Sequence, residues 1–125
     1  MDLRSLLLVG VGGATGSMAR YAVGIFIGKN ITNGFPAGTF IINIIGSLII
    51  GLLFGYSMRG VSVINQNLML LLATGFCGGF TTFSSFALEN VQLMQKGTSL
   101  IALFYIAASI IAGLLCCRLG LWLTA

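Results

Sequence analysis

Polar positions are scarce along this chain, and they punctuate it. Charge-free apolar runs extend over 37–58, 60–88 and 97–117, each long enough for the ~20 helical residues that cross a hydrocarbon core. A fourth stretch, at about 5–28, is interrupted only by Arg20. The pattern predicts four spans at about 5–28, 37–58, 66–95 and 98–122, joined by short connections. Helices are expected because lipid offers no partner to an unpaired backbone group. No room remains for a soluble domain, so residues 1–125 are expected to form one all-α integral membrane domain.

Composition agrees. Hydrophobic residues make up 58% of the chain, against six basic and two acidic side chains, where about a quarter of a soluble domain is charged. There is no histidine and no pair of carboxylates, so general acid–base catalysis has no candidate residues and an enzyme is not expected. The expected surroundings are a lipid bilayer, with no nucleic acid as partner. Cys77, Cys116 and Cys117 lie inside spans without CxxC spacing, which reads as packing rather than a zinc site or a disulfide framework. The N-terminus has a signal-peptide-like "SLLLVGVGG" after Arg4, but cleavage near "SMA" would leave an odd number of spans.

Charge placement bears on orientation. Arg4, Arg59 and Arg118 fall on one side, Lys29 and Lys96 on the other, joined by Arg20 if it reaches that way. That near balance supplies almost no positive-inside bias. Either a single loop orients the chain, or copies insert both ways.

Several polar or small residues inside the spans need partners. The run "VGVGGATGSMARY" fails the GxGxxG spacing at Thr15, so its glycines read as helix contacts. Gly12 and Gly16, Gly24 and Gly28, and Gly51 and Gly55 form small-xxx-small pairs, and much of this packing is expected between subunits. Arg20 must face water, a carbonyl or an anion: it either snorkels to an interface or lines a positive vestibule. Pro36 suits the first turn of the second span. Thr39 and Asn43, four apart, share a helix face, and Asn43 pairs with another helix or lines a polar pathway. Its amide carries two donors, which suits an anion. Tyr105 and Ser109 share a face of the fourth span, Glu89 marks the outer end of the third, and Trp122 reads as an interfacial belt residue.

The third span carries "GFCGGFTTFSSF". Gly78 and Gly79 each weaken a helix by about 1 kcal/mol relative to alanine, and the hydroxyls of Thr81 and Thr82 can serve freed carbonyls. Residues 78–82 are therefore predicted to unwind in mid-membrane, where bared carbonyls bind small cations; the competing reading is a close crossing without a break. Phe83 and Phe86, at spacing three, stack on one face. They are either a core stripe or two electropositive ring edges that, beside Asn43 and Ser85, form a weak multi-site path for a small anion.

In "GGATGSMARY", "PAGTFIINIIGS" and "TGFCGGFTTFSSFALE" the chain resembles the Fluc (CrcB-type) bacterial fluoride channel family over essentially its full length. The resemblance implies an antiparallel, dual-topology homodimer in the bacterial plasma (inner) membrane. Its two pores would pass fluoride passively and give fluoride resistance. It implies that Phe83 and Phe86 line the pore with Asn43, Ser85, Thr39, Tyr105 and Ser109, and that Arg20 guards the aqueous entrance. It further implies a central structural sodium ion held by the backbone carbonyls of Gly78 and Thr81. Phe80, a third ring at the same spacing, is assigned to packing. A second copy of the chain is thus an expected partner, with a heterodimer of paralogues left open. The rival readings are a small multidrug-resistance-type four-helix exporter, whose first-span glutamate has no counterpart here, and a membrane assembly factor that moves no ion.

Overall fold

The computed structural model describes residues 1–30, 34–60 and 64–125, with the backbone alone for Lys29 and Asn30. The side chain of Lys29, counted above in the charge balance, therefore lies outside the described residues. Helix α1 spans Leu3–Asn30 and α2 spans Ala37–Met58, entered directly after Pro36. The third span is built in pieces. A short α3 (Gln66–Met69) leads into a π-helical stretch, Leu70–Cys77, then α4 (Gly78–Phe80) and α5 (Phe83–Gln95). Helix α6 (Ser99–Thr124) completes the chain. Four stretches, Leu3–Gly28, Ala37–Met58, Gln66–Gln95 and Ser99–Thr124, are long and apolar enough to cross a membrane.

Local chemistry sets the ends. Asp2 accepts the Ser5 N–H at 2.9 Å and so caps α1; hydrogen bonding with the Ser5 side chain and backbone holds its carboxyl below the usual range. Asn65 caps α3 through the Leu68 N–H at 2.9 Å, and the Thr82 hydroxyl caps α5 through the Ser85 N–H at 3.2 Å. Gly97, at φ 78°, ends α5 in the left-handed conformation, and the Thr98 N–H reaches back to the Leu93 carbonyl at 2.9 Å.

Two helix pairings organise the subunit: α2 lies along α6, and α1 lies against the π-helical stretch and α4. Both are made by glycines where backbones nearly touch. A Cβ on Gly12 would collide with the Leu71 carbonyl, and one on Gly16 with the Phe76 carbonyl. On the other seam, Gly51 faces the Cys117 carbonyl and Gly55 the Thr124 hydroxyl. The expectation that this packing lies largely between subunits is thus corrected for Gly12, Gly16, Gly51 and Gly55, whose partners belong to the same chain. Around Gly24 and Gly28 an added Cβ would meet none of the described residues within 4 Å.

The interior is small. Tyr105, Ala102 and Leu93 form its centre, with Phe35, Phe40 and Phe86 packed around them. Large apolar side chains such as Leu100, Phe104, Leu114 and Trp122 point outward, as suits a protein whose solvent is lipid.

Between α4 and α5 the backbone is extended at two residues: Thr81 has φ −80° and ψ 160°, Thr82 φ −150° and ψ 123°. The predicted unwinding over 78–82 is too wide, because Gly78–Phe80 is helical. Gly79 is there for closeness, with its Cα face against the Gly13 carbonyl. Thr81 still donates to the Cys77 carbonyl, through its N–H at 3.0 Å and its hydroxyl at 2.8 Å. Only at Thr82 does the N–H leave the helical ladder.

Candidate functional site

That N–H goes to Asn43. Its side-chain oxygen accepts the Thr82 N–H at 2.8 Å, while its amide donates to the Thr82 carbonyl at 3.0 Å. Asn43 therefore behaves as a surrogate strand for one extended residue, satisfying both backbone groups that the interruption exposes. The amide read from sequence as a pair of free donors has one of them engaged. The Thr82 N–H, which an unbroken α-helix would give to the Gly78 carbonyl, goes to Asn43 instead.

Two cavities flank this point, and Thr82 lines both. The first, about 500 Å³, is walled by Phe83 and Phe86 with Asn43, Ser47, Thr81 and Ser109; Gly78 also reaches it. The rings of Phe83 and Phe86 sit 5.8 Å apart, tilted by 45°. Phe86 is anchored edge-on against Tyr105 at 5.1 Å, whereas Phe83 is 79% exposed. The Ser109 hydroxyl is buried and, among the described residues, lacks a hydrogen-bond partner. An unsatisfied polar atom of that kind calls for a ligand or water.

The second cavity, about 490 Å³, is lined by Arg20, Ser17, Thr39, Ser85 and Glu89. The Thr39 hydroxyl donates to Glu89 Oε1 at 2.6 Å, and the Tyr105 hydroxyl donates to Oε2 at 2.8 Å. Tyr105 is fully buried and lines neither cavity. The hydroxyls of Thr39 and Tyr105, read from sequence as polar pore-side groups, therefore both converge on one carboxylate.

The sequence-derived residues thus divide. Phe83, Phe86, Asn43, Ser109, Gly78 and Thr81 gather at the first cavity. Thr39, Ser85 and Arg20 gather at the second. Phe80 is 4% exposed and stacked on Phe76 at 5.6 Å, so the interruption separates it from the two rings that follow. Two residues of the site have partners that the sequence does not reveal. Thr82 was noted only for its hydroxyl, although a threonine three residues before Ser85 has cap spacing. Glu89, expected at the outer end of the third span in a vestibule rather than in lipid, lines the second cavity with Arg20, but nothing local signals its distant donors.

Among the described residues no group of three His, Cys, Asp or Glu could hold a metal ion. Neutral backbone carbonyls, the donors expected of Gly78 and Thr81, are a set that suits a hard monovalent cation better than a transition metal.

Four stretches long and apolar enough to cross a membrane, with cavities among them, define a multi-pass membrane protein. The sequence pattern of the CrcB-like protein, Camphor Resistance (CrcB) family matches residues 7–121, and the chain belongs to that family. It is 43% identical over 122 residues to the "Fluoride-specific ion channel FluC" of Azobacteroides pseudotrichonymphae genomovar. CFP2, covering 98% of this chain and 97% of that one. The protein of the same name from Phocaeicola vulgatus is 42% identical over 98% of this chain and 99% of its own. That from Flavobacterium psychrophilum is 41% identical over 95% of each. These relatives are named as ion channels, not enzymes.

Proposed function

We propose that this protein is a passive, fluoride-selective channel that lets fluoride leave the cytoplasm of a bacterium through its inner membrane. The observation that carries this reading is the first cavity. Phe83 and Phe86, rings with electropositive edges, line it with an unpartnered Ser109 hydroxyl, and among the described residues no fixed cation lines it to trap an anion. The names of the relatives supply the ion. Arg20 raises the local anion concentration at the second cavity. An inside-negative potential, ~2.3 kcal/mol per charge per 100 mV, drives the anion outward without a pump, which gives fluoride resistance.

The exposed ring of Phe83 leaves the aromatic wall open in a single subunit. The proposed assembly closes it with a second, antiparallel copy, inserted in the opposite sense as the near balance of charge allows, and forms two pores. The interruption then sits near mid-membrane. The carbonyls of Gly78 and Thr81 from both copies would hold one structural sodium ion, whose charge would neutralise the facing dipoles. Phe80 stays in packing. The exporter alternative finds no support here, because the carboxylate at this site belongs to α5 and α1 carries none beyond its cap.

The test is anion efflux from liposomes holding the purified protein. Fluoride is expected to leave rapidly with chloride retained. Equal fluoride and chloride efflux, or none of either, overturns the proposal.

A further inference from the structure

A third cavity lies away from the polar sites, on the outer face of α1. It encloses about 510 Å³ and is lined by Leu3, Arg4, Leu7, Leu8 and Val11 of α1 and by Leu71 of the π-helical stretch. Its position follows from the close approach of the two elements. At Gly12 the backbones nearly touch, and the groove opens immediately N-terminal of that crossing. From Leu3 to Val11 the helix rises by about 12 Å at 1.5 Å per residue, most of the ~15 Å depth of one leaflet. The wall is aliphatic throughout except at one end, where Arg4 stands in the first turn of the span.

We propose that this groove holds one anionic phospholipid, its acyl chain along Leu7, Val11 and Leu71 and its phosphate on Arg4. The charges arrange themselves accordingly. Arg4 is exposed and, among the described residues, is the only charged one lining the groove. Asp2, the nearby anion, is turned to the Ser5 N–H as the cap of α1 and does not line it, although it is near enough to Arg4 to feel its charge. Guanidinium matches phosphate through paired N–H donors, and a zwitterionic headgroup returns much of that gain because its own cation faces the same arginine. One basic residue near a lipid surface contributes roughly fivefold in preference for an anionic headgroup. The groove is independent of the fluoride reading, since none of its residues touches either polar cavity.

The experiment is native mass spectrometry of the full-length protein in detergent, titrated with phosphatidylglycerol or phosphatidylcholine of identical acyl chains. One phosphatidylglycerol per subunit is expected, favoured about fivefold. Arg4→Gln abolishes the preference, Arg4→Lys keeps most of it, and Arg118→Gln leaves it intact. Val11→Trp fills the groove and weakens both lipids. Equal binding of the two lipids, or an undiminished preference in Arg4→Gln eluting normally on a sizing column, overturns the proposal. So does displacement of the lipid by millimolar inorganic phosphate, which would mean an anion site without a role for the groove.

Discussion

Replacing Asn43 by leucine keeps its approximate volume and removes both hydrogen bonds to Thr82. The Thr82 N–H and carbonyl, now held by Asn43 at 2.8 and 3.0 Å, are then left unpaired in a buried residue. Each orphaned backbone group costs ~1–3 kcal/mol, so the pair costs ~2–6 kcal/mol against a total stability of ~5–15 kcal/mol. The expected result is a large loss of folded protein, seen as poor recovery of a monodisperse peak and a lowered unfolding temperature in detergent. Thr82→Ala is the internal comparison. It leaves the backbone pair intact and deletes the hydroxyl, with its cap on the Ser85 N–H, worth ~1 kcal/mol, and its contacts with the Ser84 and Ser85 hydroxyls. If Asn43→Leu proves as stable as the parent, or no worse than Thr82→Ala, the reciprocal pair does not hold the interruption. A further consequence concerns transport assays. Lost flux in an Asn43 variant reports on ion contact only after normalisation to folded protein.

Isoleucine at Phe83 or Phe86 conserves bulk while deleting the ring edge, so fluoride efflux is expected to fall by orders of magnitude, because even a partly dehydrated anion loses a needed partner. Phe83→Ile should leave the fold of the single subunit nearly untouched, since its ring is exposed there, whereas Phe86→Ile costs more through its contact with Tyr105; normal efflux in the double variant would make the rings scaffolding. Gly12→Ala drives a methyl into the Leu71 carbonyl and should abolish folding, while Gly10→Ala, with nothing within 4 Å, should raise the unfolding temperature slightly; equal behaviour of the two would refute the close-approach argument. A tag on the C-terminus should be cleavable from both sides of the membrane, and cleavage from one side alone would end the dual-orientation proposal.

Much of this was legible in the sequence because membrane spans are written in composition. A charge-free run of twenty residues needs no tertiary information to be recognised, and the span limits differ from the observed ones by at most two residues. The gathering of Asn43 with the segment Thr81–Phe86 was also approachable, since an asparagine inside a span demands a partner. The pairing itself was not. Its two hydrogen bonds join residues 39 apart, and no local periodicity encodes that distance. The same holds for Glu89, whose donors Thr39 and Tyr105 come from α2 and α6. The π-helical stretch had no signature either: "LLLATGFC" reads as ordinary helix, and its widened turns arise where α1 crosses it at glycines. The breadth of the interruption was misjudged because two glycines look the same whether they allow a bend or a close crossing.

The reciprocal pairing of Asn43 with Thr82 also has a direction in time. The ribosome makes Asn43 first, and Thr82 follows 39 residues later, a lag of ~2–8 s at ~5–20 residues per second. During that interval α2 carries an asparagine without its eventual partner, a tolerable state for one neutral side chain on an otherwise apolar helix. The reverse order would be worse, with a non-helical backbone entering lipid before anything could receive its N–H and carbonyl. Chain order therefore puts the receptor in the bilayer ahead of the segment that depends on it.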